Sequence, residues 1–217
     1  TIYDIKPNRN KDTVIQRLSE IKDNTYIEYV TMDMWKPYKD AVNTVIPHAK
    51  VVVDKFHVVR MANQALDSVR KSLKANMTAK ESRTLMRERY ILLKRKHDLN
   101  ERDSFLLDTW LSNLPELKEA YELKEEFYLI WDTDDLEQAK DRYRYWRQCC
   151  LSSNSKNAYK DLLRAVDNWQ DEIFNYFDKR LTNAYTESIN SIIRQVERMG
   201  RGYSFEAWFC CKVKKYS

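Results

Sequence analysis

The sequence predicts an α/β fold with a large all-helical insertion, and three observations carry that reading. Short β-branched runs alternate with amphipathic stretches up to Asp54, helical periodicity alone runs from Phe56 to Asp178, and one last amphipathic helix follows within Thr182 to Tyr203. Strand, helix, strand and helix in succession imply neighbouring parallel strands joined by right-handed crossovers.

Taken in order, Thr1 to Lys6 reads as a strand stopped by Pro7 and Asn8. A helix capped by Asn10 or Asp12 follows, with Val14, Ile15, Leu18 and Ile21 as its apolar face. Polar Lys22 to Thr25 make a loop, and Tyr26 to Met32 (YIEYVTM) make a strand ending at Asp33. Trp35, Pro37 and Tyr38 open the next helix, whose buried stripe is Tyr38, Ala41, Val42, Val45 and Ile46 and whose end is Pro47. Lys50 to Val53 (KVVV) is a short buried strand that delivers Asp54, as the previous strand delivers Asp33. Both aspartates then stand at the carboxyl edge of the sheet, where open α/β folds place their ligands. An aspartate after a strand is equally a loop or helix-cap residue.

From Phe56 onward one helix buries Val58, Ala62, Ala65, Leu66, Val69 and Leu73 and turns Arg60, Asn63, Asp67, Arg70 and Lys74 outward. Further helical stretches are expected over Met77 to His97, Ser104 to Leu114, Pro115 to Trp131, Asp134 to Cys150 and Ser155 to Asp178. The run RYRYWR at 142 to 147 has two readings. It can grip a nucleic-acid backbone and stack on bases. Its aromatic residues can instead be core and its arginines solvated, which suits most of these residues better.

In the last helix Asn183, Glu187, Asn190 and Arg194 share one narrow polar stripe, while Ile189, Ile192, Ile193 and Val196 gather on the opposite side. Thr182 and Asn183 are both N-cap candidates, and Gly200 is a helix stop. The chain's two glycines, Gly200 and Gly202, fall in one Arg-Gly-Arg-Gly-Tyr run, which suits positive φ or a close approach to phosphate. An ordinary amphipathic helix with a glycine cap explains the same stretch.

The 217 residues, 43% of them hydrophobic, suffice for a core, and 38 Lys and Arg against 33 Asp and Glu give a net charge of +5. That balance is compatible with a nucleic-acid partner without demanding one. The four cysteines form two adjacent pairs, Cys149 with Cys150 and Cys210 with Cys211. Neither pair has zinc-ligand spacing, and they read as reduced thiols of a cytoplasmic protein. No apolar run spans a membrane, no signal peptide is visible, and the absence of an initiator Met suggests a piece of a longer protein.

Asp33 at a strand end and Glu187 on a distant helix are the type of carboxylate that holds Mg²⁺ (or Mn²⁺), a hard ion that keeps waters for a substrate phosphate. Such ions serve in-line phosphoryl transfer, a chemistry that normally uses at least three carboxylates. The run TMDMWKPYKDAVNTVIPHAKVVVDKFHVVRMANQALDSVR, together with TNAYTESINSIIRQVERMGRGYSFEAW, resembles the bacterial insertion-sequence transposases of the DDE class, specifically their ISL-three branch. The resemblance covers essentially the whole chain. It implies a ribonuclease H-like core interrupted by a helical insertion, acting on DNA at element ends and in target DNA, as a homo-oligomer in the active assembly. By the same resemblance Asp33 matches the second catalytic Asp and Glu187 the catalytic Glu, both as metal ligands. Asp54 and His57 match the family's Asp-x-Phe-His segment and are expected in support, as are Asn183 and Asn190. Arg194, Arg198 and Arg201 are expected on DNA.

The expected partition is 1–64 for the partial core, 65–180 for the helical insertion and 181–217 for the core helix with its basic tail. The family's first Asp belongs to a strand upstream of Thr1, so the core is expected to be partial and this piece inactive alone, with weak sequence-specific DNA binding. Asp4, on what resembles the last strand of the meander, is not assigned that role. Two readings compete: a non-catalytic nucleic-acid-binding or assembly module, and an unrelated α/β protein whose carboxylates are structural.

Overall fold

The computed structural model describes residues 10–184 together with Ser188 and Ser191. The strand expected at Thr1 to Lys6 lies outside them. The chain divides into two compact units, one of Thr1–Val52 with Leu181–Ser217 and the other of Val53–Arg180.

In the first unit, α1 (Lys11–Ser19) starts at Asn10 and packs against α2 (Lys36–Val45). Pro37 occupies the first turn of α2, where its missing N–H costs nothing, Ala41 and Val42 are its buried residues, and Ile46 is buried at its C-cap. Strand β1 (Tyr29–Met32) is shorter than the sequence suggests. Its expected start is taken by a 3₁₀ turn over Asn24–Tyr26, closed by Tyr26 N–H to Asp23 carbonyl at 3.1 Å, which leaves Tyr26 82% exposed. Strand β2 (Lys50–Val53) has its expected bounds and lies beside β1 in a two-stranded parallel sheet. The Lys50 N–H donates to the Glu28 carbonyl at 2.8 Å. Val51, Val52 and Val53 are all buried, so β2 is covered on both faces, as strands of parallel sheets are.

From Lys55 onward the described elements of the second unit are helical. It comprises α3 (Lys55–Ser72), α4 (Ala79–Arg87), α5 (Arg89–Leu93), α6 (Glu101–Asn113), α7 (Pro115–Ile130), α8 (Leu136–Ser152), α9 (Lys156–Asn168), α10 (Gln170–Phe174) and α11 (Tyr176–Lys179). Side chains cap several of these helices. Asn100 accepts from Asp103 N–H and Asp135 from Gln138 N–H, and Thr78 with Glu81 forms a reciprocal capping box. The single helix expected over Ser155 to Asp178 is three, broken at Trp169, whose φ of −130° leaves the helical range, and again at Asn175.

Helix α7 is central, packed against α3, α6 and α8, while α3 also packs on α9. Trp146 of α8 is fully buried, with its ring centroid 4.8 Å from that of Phe127 and its Nε1 donating to the Leu123 carbonyl at 2.8 Å. Two charged residues are also buried. Arg70, expected to face outward, is 2% exposed because Asp67 one turn earlier accepts from its guanidinium at 2.7 Å and neutralises it. Lys124 is fully buried, and burial lowers its pKa against the opposing pull of Glu125. Its Nζ donates to the Leu92 carbonyl at 3.1 Å and the Lys94 carbonyl at 2.6 Å, satisfying the open C-terminal end of α5.

Candidate active site

Strand β1 ends at Met32, which is buried, and the next residue turns outward. Asp33 is exposed, its carbonyl accepting from Trp35 N–H at 2.7 Å as the chain bends into α2. A short strand anchored by the sheet followed by a bend thus presents one carboxylate to solvent. Asp54 takes the same position after β2 but is fully buried, and its carboxylate accepts from the Phe56 N–H at 2.9 Å. It is the N-cap of α3, where a negative charge also meets the positive end of the helix dipole. The helix-cap role that competes for any aspartate after a strand therefore describes Asp54, while Asp33 ends in a solvent-facing bend.

His57 lies in the first turn of α3, half-buried, with its backbone N–H donating to the Asp54 carbonyl at 3.1 Å. Asp54 and His57 are thus brought together on one turn. Asn183 is half-buried in a bend just before helical Ala184, and Thr182 Oγ1 accepts from the Ala184 N–H at 3.5 Å. Glu187, Asn190, Arg194, Arg198 and Arg201 lie outside the described residues, as do Cys210 and Cys211.

The basic and aromatic run in α8 divides by helical period. Tyr143 and Trp146 are buried, and Tyr145 is 59% exposed. The exposed Arg144 pairs with Asp141, and Arg147 pairs with Asp167 at 3.4 Å. Cys149 and Cys150 are free thiols, and burial pushes the Cys150 pKa up to about 11, so it is neutral and poorly nucleophilic at physiological pH.

Among the described residues no group of three or more His, Cys, Asp and Glu side chains could hold a metal ion. Asp33 has the hard, solvent-facing oxygens such an ion takes, and a hydrated Mg²⁺ needs only one or two protein carboxylates besides substrate phosphate. Among the described residues no helix is long and apolar enough to cross a membrane. Sequence reasoning passed over Lys55, whose Nζ donates to the Tyr176 hydroxyl at 2.8 Å. No local pattern signals it, since the partner is 121 residues away.

A family profile described as "Transposase", of the ISL-three DDE type, matches residues 1–212. The chain is 23% identical over 216 residues to the transposase for insertion sequence element IS1001 of Bordetella parapertussis, covering 97% of this chain and 53% of that protein. It is 28% identical over 203 residues to the transposase for insertion sequence element IS1557 of Mycobacterium tuberculosis, in two strains, covering 82% of this chain and 45% of the relative. The chain spans about half the length of the curated relatives it matches. No solved structure matches it.

Proposed function

Because the chain belongs to the ISL-three family of DDE transposases, we propose that it forms part of the catalytic domain of an enzyme that cleaves and joins DNA at insertion-sequence ends. The observation that carries this reading is Asp33, a solvent-facing carboxylate directly after a strand of a parallel sheet, at the position that matches a catalytic Asp of the family. In this reading residues 1–64 belong to a partial ribonuclease H-like core, and residues 65–180 are its helical insertion.

The reaction is two in-line displacements at phosphorus. In cleavage, a water oxygen bonds to phosphorus, the bond to the 3′ oxygen breaks, and that oxygen leaves as the 3′-hydroxyl with the proton the water gives up. In joining, this 3′-hydroxyl attacks a target phosphate and displaces the target's own 3′ oxygen, so no redox partner is needed. Asp33 and Glu187 would hold Mg²⁺ or Mn²⁺, which when bound lowers the pKa of the attacking hydroxyl and offsets charge on the leaving oxygen. Asn183 and Asn190 flank Glu187 on one helical stripe and would orient it by hydrogen bonding. Arg194, Arg198 and Arg201 would neutralise DNA phosphates. Asp54 caps α3 with His57 in the same turn, and both would act in support of the site. The protein would work in the cytoplasm on element ends and target DNA, as a homo-oligomer when ends are paired.

The test is cleavage of element-end DNA in Mg²⁺ by the transposase that carries this chain. Asp33→Asn and Glu187→Gln should each reduce cleavage to background while leaving the thermal unfolding curve in place. Cleavage that persists in either variant overturns the assignment of that residue.

A further inference from the structure

Charge is unevenly distributed along the helical unit. From Lys55 to His97 twelve Lys and Arg stand against three Asp and Glu, whereas from Asp98 to Asp141 four stand against fourteen. The first stretch forms α3, α4 and α5, and the second forms α6, α7 and the start of α8. Where the stretches meet, opposite charges pair, Lys94 with Asp103 at 2.7 Å and Arg95 with Asp132. Arg70 and Lys71 share Asp67, each at 2.7 Å.

Helix α4 and the start of α5 keep cations that no such pair neutralises. At 3.6 residues per turn, Lys80, Arg83 and Arg87 of α4 fall within about 60° of arc, opposite the buried Leu85. All three are exposed, and among the described residues no carboxylate pairs with them. Arg83 donates from Nε to the Ala79 carbonyl at 3.1 Å, which leaves its terminal amino groups for another partner. Arg89 follows across the helix break at Glu88 and is exposed, its guanidinium 4.7 Å from the Tyr90 ring centroid and donating to that hydroxyl at 2.8 Å. The two carboxylates of this segment are engaged elsewhere. Glu81 accepts from the Thr78 N–H at 2.9 Å and its hydroxyl at 2.7 Å, and Glu88 accepts from Trp110 Nε1 at 2.7 Å. On α8, by contrast, Lys140 pairs with Glu137, Arg144 with Asp141 and Arg147 with Asp167.

We propose that Lys80, Arg83, Arg87 and Arg89 form a surface that binds the phosphate backbone of duplex DNA. The stripe on α4 spans about 10 Å of helix axis, close to the axial rise of about three nucleotides of one strand. Arginine forks suit phosphate oxygens, and a phosphate supplies the counter-charge that these side chains lack. Arg89 lies over the Tyr90 ring, so the face meets backbone charge rather than stacked bases. The acidic stretch of the same unit repels DNA, which orients the unit with α4 towards the duplex. Such contacts position the protein and read no sequence. The choice of DNA among polyanions rests on the transposase reading, but neither Asp33 nor Glu187 takes part in this binding.

The test uses the transposase that carries this chain, in EDTA, with a short fluorescent duplex of unrelated sequence, and reads affinity by anisotropy across a series of NaCl concentrations. Replacing Lys80, Arg83, Arg87 and Arg89 together by Gln should lower the slope of log affinity against log salt by about 3 and weaken binding about 10-fold or more. Lys80→Gln with Arg87→Gln, which leaves the Arg83 and Arg89 bonds intact, should lower the slope by about 2 and serves if the fourfold variant melts early. Replacing the paired cations Lys118, Lys140, Arg144 and Arg147 by Gln removes the same charge and should change the slope by less than about 1. An equal loss in that control would reduce the effect to net charge and overturn the surface. An unchanged slope in both α4 variants also overturns it, and if self-association measured by light scattering falls instead, the face meets an acidic surface of a second copy. Failure of the transposase reading itself would show separately, as cleavage that survives Asp33→Asn, because binding here is measured without metal.

Discussion

Truncating Trp146 to alanine separates a core role for the aromatic run in α8 from a nucleic-acid-gripping one. The indole is fully buried, and its neighbours are Phe127 at 4.8 Å, Tyr143 at 5.8 Å and Tyr159 at 6.0 Å. Its Nε1 donates to the Leu123 carbonyl at 2.8 Å, so the substitution removes a hydrogen bond as well as a large apolar volume between α7, α8 and α9. A buried tryptophan reduced to alanine costs about 3–5 kcal/mol. At roughly 4 °C per kcal/mol for a unit of this size, the melting temperature should fall by about 12–20 °C. Trp146→Phe keeps most of the packing and loses the N–H, and should cost about 1–2 kcal/mol. Its neighbour Tyr145, 59% exposed, should tolerate alanine within about 0.5 kcal/mol. Thermal unfolding followed by far-ultraviolet circular dichroism reads all three. A Trp146→Ala protein that melts within a few degrees of the parent, or a Tyr145→Ala protein that loses as much, would refute the division of the run into core and surface.

Other outcomes follow from buried polar groups. Lys124→Met should cost about 2–4 kcal/mol in urea unfolding, because Glu125, 20% exposed, loses its partner at 2.5 Å and two carbonyls at the end of α5 lose their donor; an unchanged midpoint contradicts that role. Burial raises the pKa of Tyr121, Tyr143 and Tyr159 above the usual phenol value, whereas in the unfolded chain they ionise near pH 10. Their contribution to stability is complete below about pH 10 and is lost as pH rises through the higher folded values, so unfolding should grow easier from pH 10 upward with a cooperative rise in tyrosinate absorbance. Gradual ionisation without unfolding would contradict their burial. Asp54→Ala should destabilise by about 1–2 kcal/mol through loss of the α3 cap, and Asp54→Asn, still an acceptor, by less; equal losses would point to a need for its charge.

What could be read from the chain alone follows from how local each cause is. The bounds of β2 were legible because three consecutive valines between Lys50 and Asp54 leave no competing structure. The bounds of α7 were legible because Pro115 starts a helix well and the apolar spacing then repeats. The start of β1 was not, because a turn at Asp23 and Asn24 captures Tyr26 despite its strand propensity. Arg70 was placed outward by period alone, and its burial depends on pairing with Asp67, which charge pattern permits but does not compel. Three short helices were taken for one because nothing but tertiary packing breaks the chain at Trp169 and Asn175.

The candidate site divides in the same way. Asp33 and Asp54 look alike as aspartates after strands, yet a buried cap bond to Phe56 N–H separates them, and only the folded chain displays it. Lys55 carried no signal, since Tyr176 lies 121 residues further on.

The most direct measurement is a crystal structure of the chain soaked with Mn²⁺, with anomalous scattering locating the ion and the carboxylates of Asp33 and Glu187 both in view. Catalysis by this pair predicts manganese ligated by Asp33 and Glu187 together, on one ion or bridging two about 3.5–4 Å apart. Manganese bound elsewhere, with the two carboxylates separated by more than about 8 Å or each paired to a basic side chain, would contradict it.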